Sequence, residues 1–433
     1  MRGISIGVLG LGNVGSGTLR ILDENRASIQ ARLGADVHVK KVLVRDLDRS
    51  RDVQVDPSLL TTNPAEVLED PDVRVVVELV GGLEPARSFV LDALKNGKHV
   101  VTANKALLAE HGEEIFNEAS QRGLSIYFEG SVAGGIPVLR AIREGLASDR
   151  ISRITGIVNG TSNFVLDAMT REGMDYDAAV HKAQELGFAE ADPTLDVGGY
   201  DAAHKLVLLT LVSYGKRVDP HRIHVEGIER VRAFDVRVAD DLGFVIKSLA
   251  VGHLDGEGRP CLRVHPTLVP RGHVLSGVHG SFNAVFVESA ALGESMYYGP
   301  GAGAMPTGMA VVSDIIEVCR ELVTFAAGGP PPEAFREVTV VEPAPLDDVE
   351  HLNYLCVHVP NVPGVLGRVA STLGNHGVSI RRMNQDTPGP GELINMVIVT
   401  ERTPDVRVRA AIEQIDRSDY TLAPTLRLRM LEA

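Results

Sequence analysis

The first fifteen residues constrain this chain more than any other stretch. Ile4-Ser-Ile-Gly-Val-Leu9 is an apolar run of strand length, it ends directly in Gly10-Leu-Gly12-Asn13-Val14-Gly15, and apolar residues then recur at Leu19, Ile21 and Leu22 with a helical rhythm. Alone, a Gly-x-Gly-x-x-Gly run is a weak signal. Between a strand and a helix it is the arrangement in which glycines permit a tight turn, close backbone approach to a pyrophosphate, and tight helix packing. The pyrophosphate would rest on backbone N–H groups at the positive end of the helix dipole. The plain alternative is a strand-to-helix turn that binds nothing.

A second strand, His38 to Val44, ends in Arg45-Asp46, where such a domain reads the adenosine ribose. An acid there accepts from the 2′-hydroxyl of NAD, and an arginine favours the 2′-phosphate of NADP. Both dinucleotides stay open, with Arg45 tilting toward NADP. Val73 to Val80 is an almost continuous Val-rich run, as expected of a parallel strand buried on both faces. A helix over Pro85 to Asn96 leads to a strand, His99 to Ala103, followed at once by Asn104-Lys105 and another helix. Ligands of open α/β sheets bind beyond the carboxyl ends of strands, so Lys105 stands where it can meet a substrate or cofactor, unless it is surface decoration. One more strand, Leu124 to Phe128, runs into Glu129-Gly130-Ser-Val132-Ala-Gly134-Gly135-Ile136-Pro137. Its glycines allow turns whose carbonyls point at a cation, with Glu129 adding charge; an interdomain hinge is the other reading.

From Ile151 the character changes. Ile151 to Ile157 reads as a strand, Asn159 to Asn163 as a turn capping a helix over Phe164 to Thr170, and helical patterns follow at Asp177 to Leu186 and Ala202 to Tyr214. Segments at Phe244 to His253, Cys261 to Val269 and Ala284 to Ser289 alternate or run apolar like strands, predicting a mixed α+β domain, partly antiparallel. Between the helical patterns lies an acidic stretch in which Glu190, Asp192, Asp196 and Asp201 precede Lys205, broken by Pro193 and Gly198-Gly199. It has the look of a pocket wall. A solvated loop in which Asp201 and Lys205 make an ordinary i,i+4 ion pair is the bland account of the same residues. Tyr298 to Thr307 is a second glycine-rich loop, before a helix running from about Thr307 to Phe325.

A Gly/Pro-rich linker, Ala326 to Pro332, continues in acidic form from Glu342 to Glu350. The remainder reads strand (Tyr354 to Val359), helix (Leu366 to Gly374), strand (Val378 to Met383), strand (Leu393 to Thr400), helix (Val406 to Ile415), strand (Thr425 to Met430). That βαββαβ order is the ferredoxin-like layout. The fold class is therefore α/β: a Rossmann-type N-terminal domain, a mixed α+β domain, and a ferredoxin-like C-terminal domain.

Charge and cysteines narrow the partners. A formal charge of -14 offers no basic stripe for nucleic acid or an anionic membrane, and no apolar stretch approaches the ~20 residues a membrane span needs. Cys261, Cys319 and Cys356 are few, odd in number and without CxxC spacing, which predicts a reduced, cytoplasmic protein. Asn159-Gly160-Thr161 fits the glycosylation pattern, but a cytosolic chain does not meet that machinery.

Taken together, Gly10 to Gly15, Val101-Thr-Ala-Asn-Lys105, Glu129-Gly-Ser-Val-Ala-Gly134, Gly156-Ile-Val-Asn-Gly-Thr161, Glu190 to Lys205 and Gly301-Ala-Gly303 resemble the monofunctional homoserine dehydrogenases that carry a C-terminal ACT domain. No kinase-like extension precedes the first strand, so the aspartokinase fusion form is not the expectation. The resemblance implies reversible reduction of L-aspartate 4-semialdehyde to L-homoserine with NAD(P)H. It implies Lys205 as the proton relay, with Lys105 near it to lower its pKa, and Glu190, Asp196 and Asp201 as the acids that hold the substrate amine and position the lysine. Asn13, Val14, Lys105 and Gly303 fall where the family contacts the dinucleotide. Glu129 with the backbone of Val132, Gly134 and Ile136 resembles its monovalent-cation site, usually sodium. Pro360-Asn361-Val-Pro363-Gly364-Val365-Leu366 resembles the ACT loop, with Asn361 where an aspartate is common, and family precedent adds feedback inhibition by L-threonine in a homodimer or homotetramer. The domains would be 1–135 for the dinucleotide, completed by a helix over 301–326, then 136–300 for catalysis and dimerisation, a linker over 327–350, and the ACT domain over 351–433. Two other functions fit parts of the chain. A phosphorylating semialdehyde dehydrogenase needs a cysteine nucleophile, and all three cysteines lie outside the pocket motifs; a non-catalytic dinucleotide and amino-acid sensor would have no use for the lysines and acids.

Overall fold

In the computed structural model, which describes residues 3–324, 339–385 and 393–431, the chain divides into two compact units. The first comprises residues 1–160, 201–223 and 282–342, the second 161–200, 224–281 and 343–433. The expected linker over 326–332 and the expected end of the long helix at Phe325 lie outside the described residues.

In the first unit, β1 (Gly3–Leu9), β2 (Asp36–Leu43), β3 (Leu60–Thr61), β4 (Val73–Glu78), β5 (His99–Thr102) and β6 (Ile126–Tyr127) form a parallel sheet in the order β3-β2-β1-β4-β5-β6. That is the doubly wound dinucleotide-binding order, with its crevice at the carboxyl ends of β1 and β4. Ile6, Val8, Val75 and Val77 are fully buried in the sheet. Gly10 has φ +98°, and a Cβ there would stand 2.6 Å from the Leu79 carbonyl oxygen; a Cβ on Gly15 would stand 2.5 Å from that of Gly10. Only glycine permits this strand-to-helix turn.

Helix Ala304–Thr324 packs into the same core through Val311, Val312, Ile315 and Val318. It crosses helix Asn13–Glu24 so closely that a Cβ on Gly17 would meet the Ala304 carbonyl oxygen at 2.1 Å, and one on Gly308 the Gly17 backbone at 2.8 Å. The first unit also holds β7 (Ile151–Ile157), antiparallel to Phe282–Ser289, which pairs antiparallel with Gly293–Pro300.

In the second unit, Phe244–Leu254 and Pro260–Pro270 form an antiparallel pair, and the latter runs parallel to Ala423–Met430. From there the ladder continues antiparallel through Glu350–Pro360, Leu393–Thr400 and Ile380–Gln385. The four C-terminal strands thus stand in the order fourth, first, third, second, as the ferredoxin-like layout requires. Side chains alternate across strand Glu350–Pro360. Leu355, Val357 and Val359 face helices Val365–Asn375 and Asp405–Asp416, while Tyr354 and Cys356 join a core with helices Gly160–Glu172 and Ala233–Asp241.

Four elements differ from expectation. Helix Arg26–Leu33 was masked by having only Ile29 and Leu33 to bury, and in helix Ala233–Asp241 the alternation of Val236 with Val238 mimics a strand. Tyr298 to Pro300, expected as loop, ends strand Gly293–Pro300, so the glycine loop shortens to 301–303 before the helix opens at Ala304, three residues ahead of Thr307. Asn159 to Asn163 do not form a separate turn either, because the helix already starts at Gly160.

Candidate active site

Helix Tyr200–Tyr214 carries Asp201 and Lys205 one turn apart, and the apolar residues that follow sink it into the first unit, leaving Lys205 only 8% exposed. The Lys205 Nζ donates to Asp201 Oδ2 at 2.6 Å and to the Val158 carbonyl oxygen at 2.6 Å. Lys105 heads helix Lys105–Arg122, whose first turn is capped by the Asn104 side chain accepting from Leu107 N. From there its Nζ reaches Asp201 Oδ1 at 3.1 Å. Asn159, just past β7, donates from Nδ2 to Asp201 Oδ2 at 2.8 Å.

One carboxylate therefore bridges two lysines that are 100 residues apart in sequence. Burial works to raise the Asp201 pKa, but the charges of Lys205 and Lys105, with the hydrogen bonds from Lys205 and Asn159, outweigh it and hold the group well below the usual carboxylate range. It is an anion at any working pH, and both its oxygens are committed to protein donors.

The other acids belong to the second unit. Asp196 lies in the short helix Thr194–Val197 and is half-buried; its Oδ2 accepts from Thr161 Oγ1 at 3.4 Å and its carbonyl oxygen from Ser162 Oγ at 2.9 Å. Thr161 also donates to the Phe188 carbonyl oxygen at 2.5 Å, fixing the chain two residues before Glu190, whose side chain is exposed. Asp192 is a local cap: its Oδ1 accepts from Thr194 N at 3.1 Å and Thr194 Oγ1 at 2.6 Å. Asn159, Thr161 and Ser162 were missed as site residues, since short polar side chains beside a glycine read as a turn.

At the dinucleotide crevice, Gly12 and Asn13 are exposed, Val14 is half-buried, and a Cβ on Gly12 would face open space. Gly303 is exposed with φ +126° at the head of helix Ala304–Thr324. Arg45 is exposed beyond β2, where the Arg51 guanidinium knits the turn by donating to the carbonyls of Asp46, Leu47 and Arg49.

The stretch from Glu129 to Ile136 is buried apart from the half-buried Gly135. Both Glu129 carboxylate oxygens accept backbone amides, Leu139 N and Arg140 N, each at 2.8 Å, and burial raises its pKa against that pull. Ala133 (φ 55°) and Gly134 (φ 58°) are successive left-handed residues that curl the loop. A cation held here would meet backbone carbonyls and one carboxylate, hard oxygens of the kind that suit a group I or II cation. Among the described residues, no cluster of three His, Cys, Asp or Glu side chains could hold a metal ion.

All three cysteines are buried and none forms a disulfide, and burial pushes the Cys319 and Cys356 thiols up to about 12. Neither of these two offers a thiolate nucleophile. Among the described residues, no helix is long and apolar enough to cross a membrane.

Comparison with known proteins gives three family-model matches: "Homoserine dehydrogenase, NAD binding domain" over residues 10–129, "Homoserine dehydrogenase" over 137–316, and "ACT domain" over 354–417. The chain is 42% identical to a homoserine dehydrogenase of Bacillus subtilis (strain 168) over 93% of its own length and 92% of the relative's. A crystal structure of a homoserine dehydrogenase from Thiobacillus denitrificans superposes with a TM-score of 0.92 at 40% identity, covering 100% of this chain and 99% of that one. A hyperthermophilic archaeal homoserine dehydrogenase in complex with NADPH superposes with a TM-score of 0.61 at 27% identity, over 73% of this chain and 98% of that one.

Proposed function

The chain belongs to the homoserine dehydrogenase family, and on that premise we propose a division of labour among its residues. The reaction reduces the aldehyde of L-aspartate 4-semialdehyde to the alcohol of L-homoserine. A dinucleotide bound along Gly10, Gly12, Asn13, Val14, Gly15, Lys105 and Gly303 supplies the hydride. As negative charge develops on the substrate oxygen, Lys205 gives it a proton; Lys105 stands by as the second cation, and Asp201 holds both lysine heads. Glu190 and Asp196 pair with the substrate ammonium. Asp201 is the third acid of that set; its oxygens also accept from Lys205, Lys105 and Asn159, which ties the substrate's surround to the lysines.

The observation that carries this reading is the single buried carboxylate shared by Lys205 and Lys105. Lys205→Ala should lower kcat by roughly 10²–10⁴-fold, the usual worth of a general acid, at little cost to dinucleotide affinity. Activity near the parental level in that variant would remove Lys205 from the role.

Arg45, exposed at the end of β2, supports NADP over NAD, as does the NADPH complex of the archaeal relative. The carbonyls of Val132, Gly134 and Ile136 beside Glu129 would take a monovalent cation, sodium by the family's habit. The ACT domain would take L-threonine as feedback inhibitor in a homodimer or homotetramer, with Gly364 (φ +92°) opening helix Val365–Asn375 and Asn361 in the preceding loop. The domains would divide this work as 1–135 with the 301–326 helix, 136–300, and 351–433. Three buried cysteines outside any disulfide favour a reducing cytoplasm.

A further inference from the structure

The strand end before helix Gly160–Glu172 grips both members of the Asp201–Lys205 pair: the Val158 carbonyl takes the lysine and the Asn159 carboxamide takes the aspartate. An i,i+4 pair on one helix is worth only a few tenths of a kcal/mol and does not by itself fix a long lysine. Asp201 also has two cations to satisfy, Lys205 on its own helix and Lys105 on helix Lys105–Arg122. Free to turn, its carboxylate can favour either one. Asn159, 6% exposed, donates to the same oxygen as Lys205 and leaves Oδ1 to Lys105.

We propose that Asn159 is a positioning residue of the reaction, acting through Asp201: its Nδ2–H fixes which carboxylate oxygen serves which lysine, and so holds the two Nζ atoms in register. The groups that face Asp201 are Lys205, Lys105 and Asn159. This inference rests on Lys205 as the proton donor, so Lys205→Ala is measured alongside.

Two variants test it, Asn159→Ala and the isosteric Asn159→Asp, with kcat, KM, dinucleotide affinity and melting temperature measured across pH. Asn159→Ala should lower kcat by about 10²-fold, as small misplacements in such sites do, with dinucleotide affinity and melting temperature close to parental. Asn159→Asp places a second carboxylate against Asp201. Ionised, it repels and cannot donate; protonated, its O–H restores the lost donor. Its kcat should therefore be low at neutral pH and recover as pH falls, a rescue that a purely structural role would not produce. The inference is overturned if Asn159→Ala stays within about threefold of parental kcat, or if the Asn159→Asp profile runs parallel to the parental one. Should Lys205→Ala retain activity, the proton-donor reading itself fails; inert Asn159 variants beside a dead Lys205→Ala sink only the role of Asn159.

Discussion

Asp201 is nearly removed from water, its side chain 11% exposed, and would be costly there as a lone anion. Two lysines reverse the balance. Replacing it by Asn keeps the shape and the contact with one donor but leaves Lys205 and Lys105 facing each other without a counter-charge. Steady-state kinetics of Asp201→Asn should show kcat down by about 10²-fold or more with a much smaller change in dinucleotide affinity; equal losses in both would make the carboxylate a binding group. The acid-to-lysine spacing was readable in the sequence because it follows helical geometry. Asn159 was not, because the same short amide caps helices, makes turns and fits a glycosylation pattern.

A second lysine behaves differently. Lys247 on strand Phe244–Leu254 is 2% exposed and donates to the Val278 carbonyl at 2.5 Å and to Asn163 Oδ1 at 3.2 Å, with no carboxylate in hydrogen-bonding contact among the described residues. Burial pushes its pKa down to about 8 from 10.5, only partly opposed by Asp167. With a depressed value the unfolded chain binds the proton more readily, so stability from this group rises with pH between about 8 and 10.5 and its cost is fully present below 8. At about 1.4 kcal/mol per unit the swing is at most roughly 3.5 kcal/mol. Denaturant melts of Lys247→Met against the parent should therefore show the variant gaining most at pH 7 and losing that advantage by pH 10. A pH-independent difference would mean that Lys247 titrates alike in the folded and unfolded chain, so that burial does not depress it.

At the scale of elements, glycine decides the closest contact in the first unit. An exposed helical Gly→Ala change usually stabilises by up to about 1 kcal/mol. At Gly17 the sign should reverse, because the added methyl would sit 2.1 Å from the Ala304 carbonyl oxygen and must push two helices apart. Overpacking of this kind costs about 1–3 kcal/mol, and the displaced helix opens at the glycine loop beside the crevice. Gly17→Ala should lower both the melting temperature and dinucleotide affinity, measured by calorimetry and fluorescence titration; a variant as stable as the parent would mean the helices separate freely. The glycine fingerprint was legible from its place between strand and helix, yet Gly17 and Gly308 were not, since a helix crossing leaves no local pattern. Helix Gly160–Glu172 shows the converse. Its first turn looked like a loop because Thr161, Ser162 and Asn163 are turn residues, but their side chains bond outward to Phe188, Asp196 and Gly280.

For the whole molecule, the sequence reads as three domains in a row with the ACT domain last, and its ferredoxin-like order was legible because each strand and helix keeps its own period. What the linear pattern does not carry is which segments share a core. Residues 343–433 compact with 161–200 and 224–281. Tyr354, Cys356, Val397, Leu426 and Leu428 lie in one buried cluster with Val165, Leu166 and Met169 of helix Gly160–Glu172 and with Val236, Ile246 and Leu268. The Tyr354 hydroxyl donates to Asp235 Oδ1 at 2.9 Å inside that core, and strand Ala423–Met430 extends the ladder of Pro260–Pro270. A detachable regulatory module would be bounded by a wet interface with few shared contacts, and this one is not. Tyr354→Phe should cost about 1–3 kcal/mol by leaving the buried carboxylate short of a donor. A chain ending at residue 342 should lose far more, exposing Val165, Leu166, Met169 and the edge of strand Pro260–Pro270 at once, and so should aggregate or melt well below the parent. Light scattering and calorimetry decide it: a monodisperse truncated enzyme with parental melting temperature and kcat would show that the ACT sheet only leans on this core. If instead the shared core is required, any signal from the ACT domain has a packed route to the helix whose Thr161 and Ser162 hold Asp196.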